Sequence, residues 1–144
     1  LRPAHYADVL AISAIEAAVE PYGWKAADFE SRLQQACSVW VATNETDQIL
    51  GFCVWQQVLD EVSLLSIAVE PSQQGKGIGK TMLQHCIQHA QAQGGQQLFL
   101  EVRASNQHAI AFYEYAGFNE MGRRRHYYRC ATGREDALLM GRIL

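Results

Sequence analysis

The stretch Gln-Gly-Lys-Gly-Ile-Gly-Lys at residues 74–80 has a composition that could bind a phosphate group. It lies between an apolar run that ends at Val69 and a run with helical spacing that begins at Gly79. Backbone N–H groups are free at a helix N-terminus, and the helix dipole adds about half a positive charge there. Glycines let the backbone approach an anion closely. We therefore predict a phosphate-binding loop with Lys76 and Lys80 as cationic neighbours; the alternative is a tight turn with solvated lysines.

The spacing of these glycines excludes the two common nucleotide-binding loops. A P-loop needs a glycine five residues before the glycine of its Gly-Lys-Thr ending, but the residue five before Gly79 is Gln74. A dinucleotide fingerprint needs two residues between its second and third glycines, whereas Gly75, Gly77 and Gly79 alternate with single residues. The loop therefore predicts a phosphate-containing ligand of another class.

Composition describes an ordinary globular chain. Its 144 residues are 49% hydrophobic and 19% charged, which predicts one domain over residues 1–144 with a substantial core. The net charge of −3 provides no general basic field for nucleic acid, and no apolar run is long enough to cross a bilayer, so we expect neither partner. Cys37, Cys53, Cys86 and Cys130 form no C-x-x-C pair, and scattered cysteines suit a reducing cytoplasm.

Hydrophobic periodicity predicts a mixed α/β sheet. Helical spacing covers residues 6–19, 26–36, 79–93 and a short segment that ends near residue 116. Strand-like runs cover residues 38–43, 49–59, 61–70, 97–104, 118–128 and 135–144. The last two of these strands are expected to pair antiparallel, and the last helix is expected to be capped by Ser105 or Asn106.

These motifs resemble those of the GNAT superfamily of N-acetyltransferases. Residues 74–79 match its Q/R-x-x-G-x-G/A pattern, and "SNQHAIAFYEYAGF" resembles its Asn-x-x-A-x-x-x-Y-x-x-x-Gly-Phe segment. The stretches "LDEVSLLSIAVEP", "LEVRASN" and "GREDALLM" are very similar to the bacterial subfamily, the RimI type, that acetylates the N-terminal alanine of a small-subunit ribosomal protein. The resemblance covers essentially the whole chain. It implies the GNAT fold, a mostly antiparallel mixed sheet with a central splayed parallel strand pair and helices on both faces.

The resemblance also implies acetyl-CoA as cosubstrate and no metal. The loop would grip the pyrophosphate, the backbone of the preceding strand would hold the acetyl carbonyl and the pantetheine arm, and Asn106 would make a polar contact to the cofactor in addition to capping a helix. The cofactor-binding residues expected on this basis are Ile67, Ala68, Val69, Gln74, Gly75, Lys76, Gly77, Ile78, Gly79, Lys80 and Asn106.

Two further residues gain catalytic roles from the resemblance. Glu101 lies on the strand face opposite Leu100 and Val102 and would act as general base, directly or through a water. From the strand pattern alone it could equally be a carboxylate satisfied by Arg103 or by solvent. Tyr113 would protonate the departing thiolate, whose thiol has a pKa near 8.5, against about 10 for the phenol. Its helical spacing also suits a plain core residue.

The acceptor is expected to be an N-terminal α-amine. About one α-amine in ten is neutral at pH 7, against about one lysine in a few thousand, so a single glutamate base suits an α-amine better. Trp24 and Tyr127 could line the peptide cleft or could be core aromatics. The alternatives are acetylation of a small amine or of protein lysines, and an acyl-CoA-binding module that transfers nothing.

Two other patterns are interpreted as structural. "RRRHYYR" at residues 123–129 interleaves basic and aromatic residues but is one short cluster in an acidic chain, so a charged strand end is favoured over a nucleic-acid interface. His85 and His89 are four residues apart on a helix but lack the glutamate of the H-E-x-x-H zinc motif. Both point away from the apolar stripe, and we expect them to be exposed to solvent.

Overall fold

The computed structural model describes residues 1–35 and 37–144, which form seven strands and four α-helices. The helices are α1 (Val9–Val19), α2 (Ala26–Gln34), α3 (Ile78–Ala92) and α4 (Gln107–Tyr115). The strands are β1 (Arg2–Pro3), β2 (Cys37–Thr43), β3 (Ile49–Val58), β4 (Glu61–Val69), β5 (Gln97–Arg103), β6 (Asn119–Cys130) and β7 (Gly133–Ile143).

The strands form one mixed sheet in the order β1-β2-β3-β4-β5-β7-β6. Every neighbouring pair is antiparallel except β4 and β5, which are parallel. The predicted mixed sheet, mostly antiparallel with a central parallel pair, is confirmed. The two-residue strand β1 was not predicted, because so short an edge segment carries no periodicity. The predicted second helix ends at residue 34, and residue 36, its expected last residue, lies outside the described residues.

Helices cover both faces of the sheet, as expected. Successive side chains of a strand point to opposite faces, so β3 contributes to two cores. Phe52 and Val54 join the core beneath α1 and α2, and Cys53 and Trp55 join the core beneath α3 and α4. The sheet is therefore buried on both sides along its centre, where the strands are richest in apolar residues.

His85 and His89 pack against the sheet, so the prediction of solvent exposure was wrong. The His85 ring centroid is 4.3 Å from that of Trp40, and the His89 centroid is 5.7 Å from that of Trp55. Within the described ranges, His85 Nε2 and His89 Nδ1 are buried without a hydrogen-bond partner. The two indoles extend the apolar surface of the sheet beyond the stripe that helical spacing identifies on α3. In the same ranges, no group of three or more His, Cys, Asp or Glu side chains could hold a metal ion.

This packing predicts a loss of stability in mild acid. Burial, and next the neighbouring His89, lower the pKa of His85, so the unfolded chain binds the additional proton more readily. Above about pH 6.5 the neutral His85 makes its full contribution to the free energy of unfolding. This contribution is lost as the pH falls through the lower pKa of the folded state. We expect His85→Gln to flatten that decline in urea denaturation followed between about pH 5 and pH 8.

The matched control is His108→Gln, because His108 is an exposed histidine on α4. The free energy of unfolding of this variant should fall with decreasing pH as steeply as that of the unaltered protein. The same pH dependence in all three proteins would show that burial of His85 has no influence on the acid stability.

Candidate active site

A gap separates β4 from β5 beyond their first three paired residues. A cavity of about 1090 Å³ occupies it, lined by both strands, the glycine loop, α3, α4 and the loop that joins α1 to α2. The two strands pair only at the start of β4 and then diverge. The paired residues are Glu61 with Gln97, Val62 with Leu98 and Ser63 with Phe99.

Leu65 is an extra residue in β4. Consecutive residues of β3 pair with Ser66 and with Leu64, which leaves Leu65 without a partner in register. The extra residue reverses the alternation of the strand, since Leu64 and Ile67 both pack into the core beneath α3 and α4. A bulge bends and twists the strand that carries it. Here it lies two residues after Ser63, the last residue of β4 that pairs with β5, where the gap opens.

Beyond the bulge, β4 presents backbone polar groups to the gap. The Glu70 N–H donates to a β3 carbonyl at 2.8 Å. Successive amides of a strand point to opposite edges, so the N–H groups of Ile67 and Val69 point to the gap and that of Ala68 points to β3. The Val69 carbonyl accepts from Gln74 Nε2 at 3.2 Å from the gap side, as this alternation requires. All three predicted strand residues line the cavity.

The glycine loop forms a backbone cradle at the start of α3. Gly75 and Gly77 have φ of +80° and +84°, a region that side chains disfavour, and a Cβ at either position would meet no atom within 4 Å. The first hydrogen bond of the helix runs from Thr81 N–H to Gly77 O at 3.0 Å. The N–H groups of Ile78, Gly79 and Lys80 therefore have no acceptor within the helix. Open space in front of free N–H groups suits an anion.

The polar side chains of the loop differ in their placement. Gln74 and Lys80 line the cavity. Lys76 is exposed, donates to Gln73 Oε1 at 3.1 Å and is not among the lining residues. Asn106 lines the cavity from the N-terminus of α4, where its Oδ1 caps the helix by accepting from Ala109 N–H at 3.1 Å. Its capping role is confirmed, and the same position brings it to the cavity.

Glu101 lies on the face of β5 that looks toward α1 and α2, as strand alternation predicts. Its Oε1 is 3.0 Å from Arg124 Nε, and the Tyr127 side chain lies beside the same carboxylate. Arg103, the partner considered from sequence, pairs with other carboxylates. The half-buried Glu101 carboxylate lines the cavity.

Arg103 lines the cavity and ties α1 and β7 to β5. Its Nε and Nη2 donate to the two carboxylate oxygens of Glu20 at 2.7 and 2.9 Å, and its Nη1 donates to Glu135 Oε2 at 3.3 Å. The guanidinium also lies 4.7 Å above the ring centre of Tyr128. Bidentate guanidinium–carboxylate pairs are short, strong and specific in geometry. This cluster fixes the end of α1 and the strand β7 relative to β5, next to Glu101.

Tyr113 lies on the other face of the sheet. Its ring packs edge-on against Phe112 and Phe118 in the core beneath α3 and α4, yet it also lines the cavity. Burial raises the pKa of the phenol well above its ordinary value, so Tyr113 stays protonated across the physiological range. It is therefore a core residue whose protonated phenol also borders the cavity.

Glu101 and Tyr113 thus face the gap from opposite sides of the sheet. A group that arrives from the α1–α2 side meets a carboxylate that can accept its proton. A group that departs toward the α3–α4 side meets a protonated phenol. The arrangement can remove a proton on one face and deliver one on the other, beside a loop that can hold an anion.

The two aromatic residues predicted for the peptide cleft have different positions. Trp24, in the loop between α1 and α2, lines the cavity, and its ring packs edge-on against Phe29 at 5.4 Å. Tyr127 is exposed and absent from the cavity lining, whereas its neighbour Tyr128 is part of it. Tyr127 borders the site through Glu101, Arg124 and the ring of Tyr128, whose centroid is 5.0 Å from its own.

Glu16 and Glu20 line the cavity but were not identified from the sequence. A signal for Glu16 was available, because it lies four residues after Ile12 and one after Ile15, on the apolar stripe of α1. A carboxylate on such a stripe is expected to be buried, and burial of a charge requires an explanation. Glu20 offered no such signal, since its partner Arg103 is 83 residues away in sequence.

Among the residues that the structure describes, none of the helices combines the length and apolarity that crossing a membrane requires.

The sequence of residues 9–118 matches the family model for the Acetyltransferase (GNAT) family. The chain is 40% identical over 133 residues to the ribosomal protein bS18-alanine N-acetyltransferase of Escherichia coli (strain K12), which corresponds to 92% of this chain and 89% of that protein.

Solved structures give the same picture of the fold. The crystal structure of the ribosomal-protein-S18-alanine N-acetyltransferase from Escherichia coli matches with a TM-score of 0.91 and 38% identity, over 98% of this chain and 90% of that one. A chimeric spermidine N-acetyltransferase from Vibrio cholerae and hSSAT matches with a TM-score of 0.83 over 99% of this chain and 95% of that one. At 19% identity, the second similarity concerns the fold alone.

Proposed function

The chain belongs to the GNAT family of acetyltransferases, and from this premise we propose that it transfers acetyl from acetyl-CoA to the N-terminal α-amine of a ribosomal protein that begins with alanine. The observation that carries transfer, rather than binding alone, is the placement of Glu101 and Tyr113 on opposite sides of the gap. A protein that only binds acyl-CoA needs neither a carboxylate nor a phenol there. The acceptor is inferred from the similarity to the alanine N-acetyltransferase of Escherichia coli.

The glycine loop fits the pyrophosphate of acetyl-CoA. The cradle offers the three free N–H groups at the start of α3, and the positive φ of Gly75 and Gly77 leaves the space before them open. Lys80 adds a cation at the rim of the cavity. When bound, acetyl-CoA supplies a thioester whose acetyl group passes to the amine and whose sulfur leaves as a thiolate.

The backbone of β4 stabilises the acetyl carbonyl in this proposal. The N–H groups of Ile67 and Val69 point into the gap and can donate to a carbonyl oxygen on which negative charge develops. Donors fixed in a strand need no reorganisation when that charge appears, which is the basis of oxyanion stabilisation. Because β4 pairs with β3 on its other edge, these N–H groups are held in place.

Glu101 accepts the proton of the attacking amine, directly or through a water. Arg124 fixes one of its oxygens at 3.0 Å. Tyr113, on the opposite side, donates its proton to the thiolate. Burial raises the pKa of the phenol, so it is protonated at neutral pH, and the same rise makes the transfer to a thiolate uphill. The two proton transfers then proceed on separate faces of the sheet.

An α-amine is favoured over a lysine because it is more often neutral. The pKa of an α-amine is about 2.5 units below that of a lysine, so a far larger fraction of α-amines is neutral before a carboxylate base acts. The second candidate is acetylation of a small amine or of protein lysines. The similarity to the alanine N-acetyltransferase of Escherichia coli does not favour it. A cytoplasmic location suits the acceptor and the four free cysteines.

The proposal predicts acetylation of a peptide that carries the N-terminal sequence of a ribosomal protein beginning with alanine. Incubation with acetyl-CoA should release CoA and add one acetyl group to the α-amine, located by fragmentation mass spectrometry. The control peptide has the same sequence with a blocked N-terminus and one internal lysine. Acetylation of small amines or of the lysine alone would refute the proposed acceptor.

Glu101→Gln tests the general base. The substitution keeps the size of the side chain but removes proton acceptance, so we expect kcat/KM to fall by about 100-fold. The loss should be largest below about pH 8, where most of the α-amine is protonated. The measurement is a pH profile of kcat/KM, with Glu61→Gln, an exposed carboxylate at the start of β4, as control. The same loss at every pH, or no loss, would contradict the role of Glu101.

Tyr113→Phe tests the general acid. It removes the hydroxyl and keeps the ring that packs in the core, so the fold should be preserved. We expect kcat to fall by about 100-fold while the Kd for acetyl-CoA stays within about twofold. Tyr6→Phe serves as control, because Tyr6 is exposed and is not among the residues that line the cavity. Unchanged turnover would exclude Tyr113 from catalysis.

A further inference from the structure

Three carboxylates line the cavity, and they differ in their charge partners. Glu20 pairs with Arg103, and Glu101 pairs with Arg124. Within residues 1–35 and 37–144, Glu16 has no lysine, arginine or histidine nitrogen within 4.0 Å. It is also the most buried of the three, with 7% of its surface exposed.

Among the described residues, the surroundings of Glu16 supply hydrogen bonds but no ion pair within 4.0 Å, and the charge of Lys25 acts on the carboxylate only from a greater distance. Its Oε2 accepts from the Trp24 N–H at 3.3 Å, and the Ser66 side chain lies beside the carboxylate. Ser66 directly precedes Ile67, whose N–H points into the gap. Gly23 packs so closely on Glu16 that a Cβ there would lie 2.8 Å from the carboxylate oxygen. The carboxylate therefore lies between the α1–α2 loop and the point in the gap where the acetyl group is expected.

An unpaired buried carboxylate is costly. Removing an ion from water costs several kcal/mol, and two neutral hydrogen-bond donors offset only part of it. Accordingly, burial raises the pKa of Glu16 above its usual range, and Glu20 adds to the rise. A cation in the acceptor half of the cavity would restore the balance of charge, as the arginines do for Glu20 and Glu101.

We infer that Glu16 binds the α-ammonium group of the acceptor peptide and so selects acceptors that end in an amine. This rests on the proposed function. The ammonium of the incoming peptide provides the ion-pair partner that Glu16 lacks among the described residues, in a charge-assisted hydrogen bond. Proton removal then belongs to Glu101, and the neutral amine keeps N–H donors that can bond to Glu16 while its lone pair attacks.

The test compares a free-amine peptide with its desamino analogue, in which hydrogen replaces the terminal amine. Both are titrated at about pH 7, where roughly nine α-amines in ten are charged, in the presence of CoA without its acetyl group. The unaltered protein should bind the free-amine peptide about tenfold more tightly. In Glu16→Gln the preference should shrink to within about twofold. Glu30→Gln, an exposed carboxylate on α2, should keep it.

The outcomes separate a charge role from a structural one. If Glu16 only holds the α1–α2 loop, the Gln variant weakens both ligands equally and keeps the preference, which overturns the inference. If the Gln variant does not fold, Glu16→Met, an uncharged side chain of similar size, takes its place in the same comparison: a preference that shrinks supports the inference, and a preference that is kept overturns it. If the unaltered protein fails to acetylate the free-amine peptide, the proposed function is wrong and this inference falls with it. If it acetylates the peptide and the Gln variant keeps the preference, only this inference is wrong.

Discussion

The early separation of β4 from β5 is the constraint on which this site depends. The ladder between them ends with Ser63 and Phe99, and the extra residue Leu65 turns β4 at that point. A strand edge inside a protein must find other partners for its backbone groups, because unpaired buried N–H groups are costly. The gap therefore calls for a ligand that can take the place of the missing strand. The N–H groups of Ile67 and Val69 are available to it.

The gap has two chemically different ends. On the α3–α4 side, the free N–H groups of residues 78–80 and the Lys80 side chain favour an anion. On the α1–α2 side the lining carries Glu16, Glu20 and Glu101, which favours a cation. An anionic cofactor and a cationic acceptor would thus enter from opposite faces and meet in the middle. The same separation would keep the proposed base, Glu101, apart from the proposed acid, Tyr113.

The arginines on the acceptor side hold the carboxylates in place. Arg103 joins α1 and β7 to β5 through Glu20 and Glu135, and Arg124 reaches Glu101 from the edge strand β6. The basic run on β6 therefore contributes to this site through an ion pair. In sequence it appears as one charged cluster, and only the pairing of strands shows which carboxylate one of its arginines meets.

Local signals in the sequence determined the elements and the cradle. Alternating apolar residues placed Glu101 opposite the core face of β5, and glycine spacing identified a loop in which Gly75 and Gly77 adopt positive φ. Tertiary structure alone decided which distant groups meet. The burial of His85 against two indoles and the partners of Arg103 depend on residues far along the chain. Periodicity describes which face a residue occupies, but the neighbour on that face is set by how the strands are ordered in the sheet.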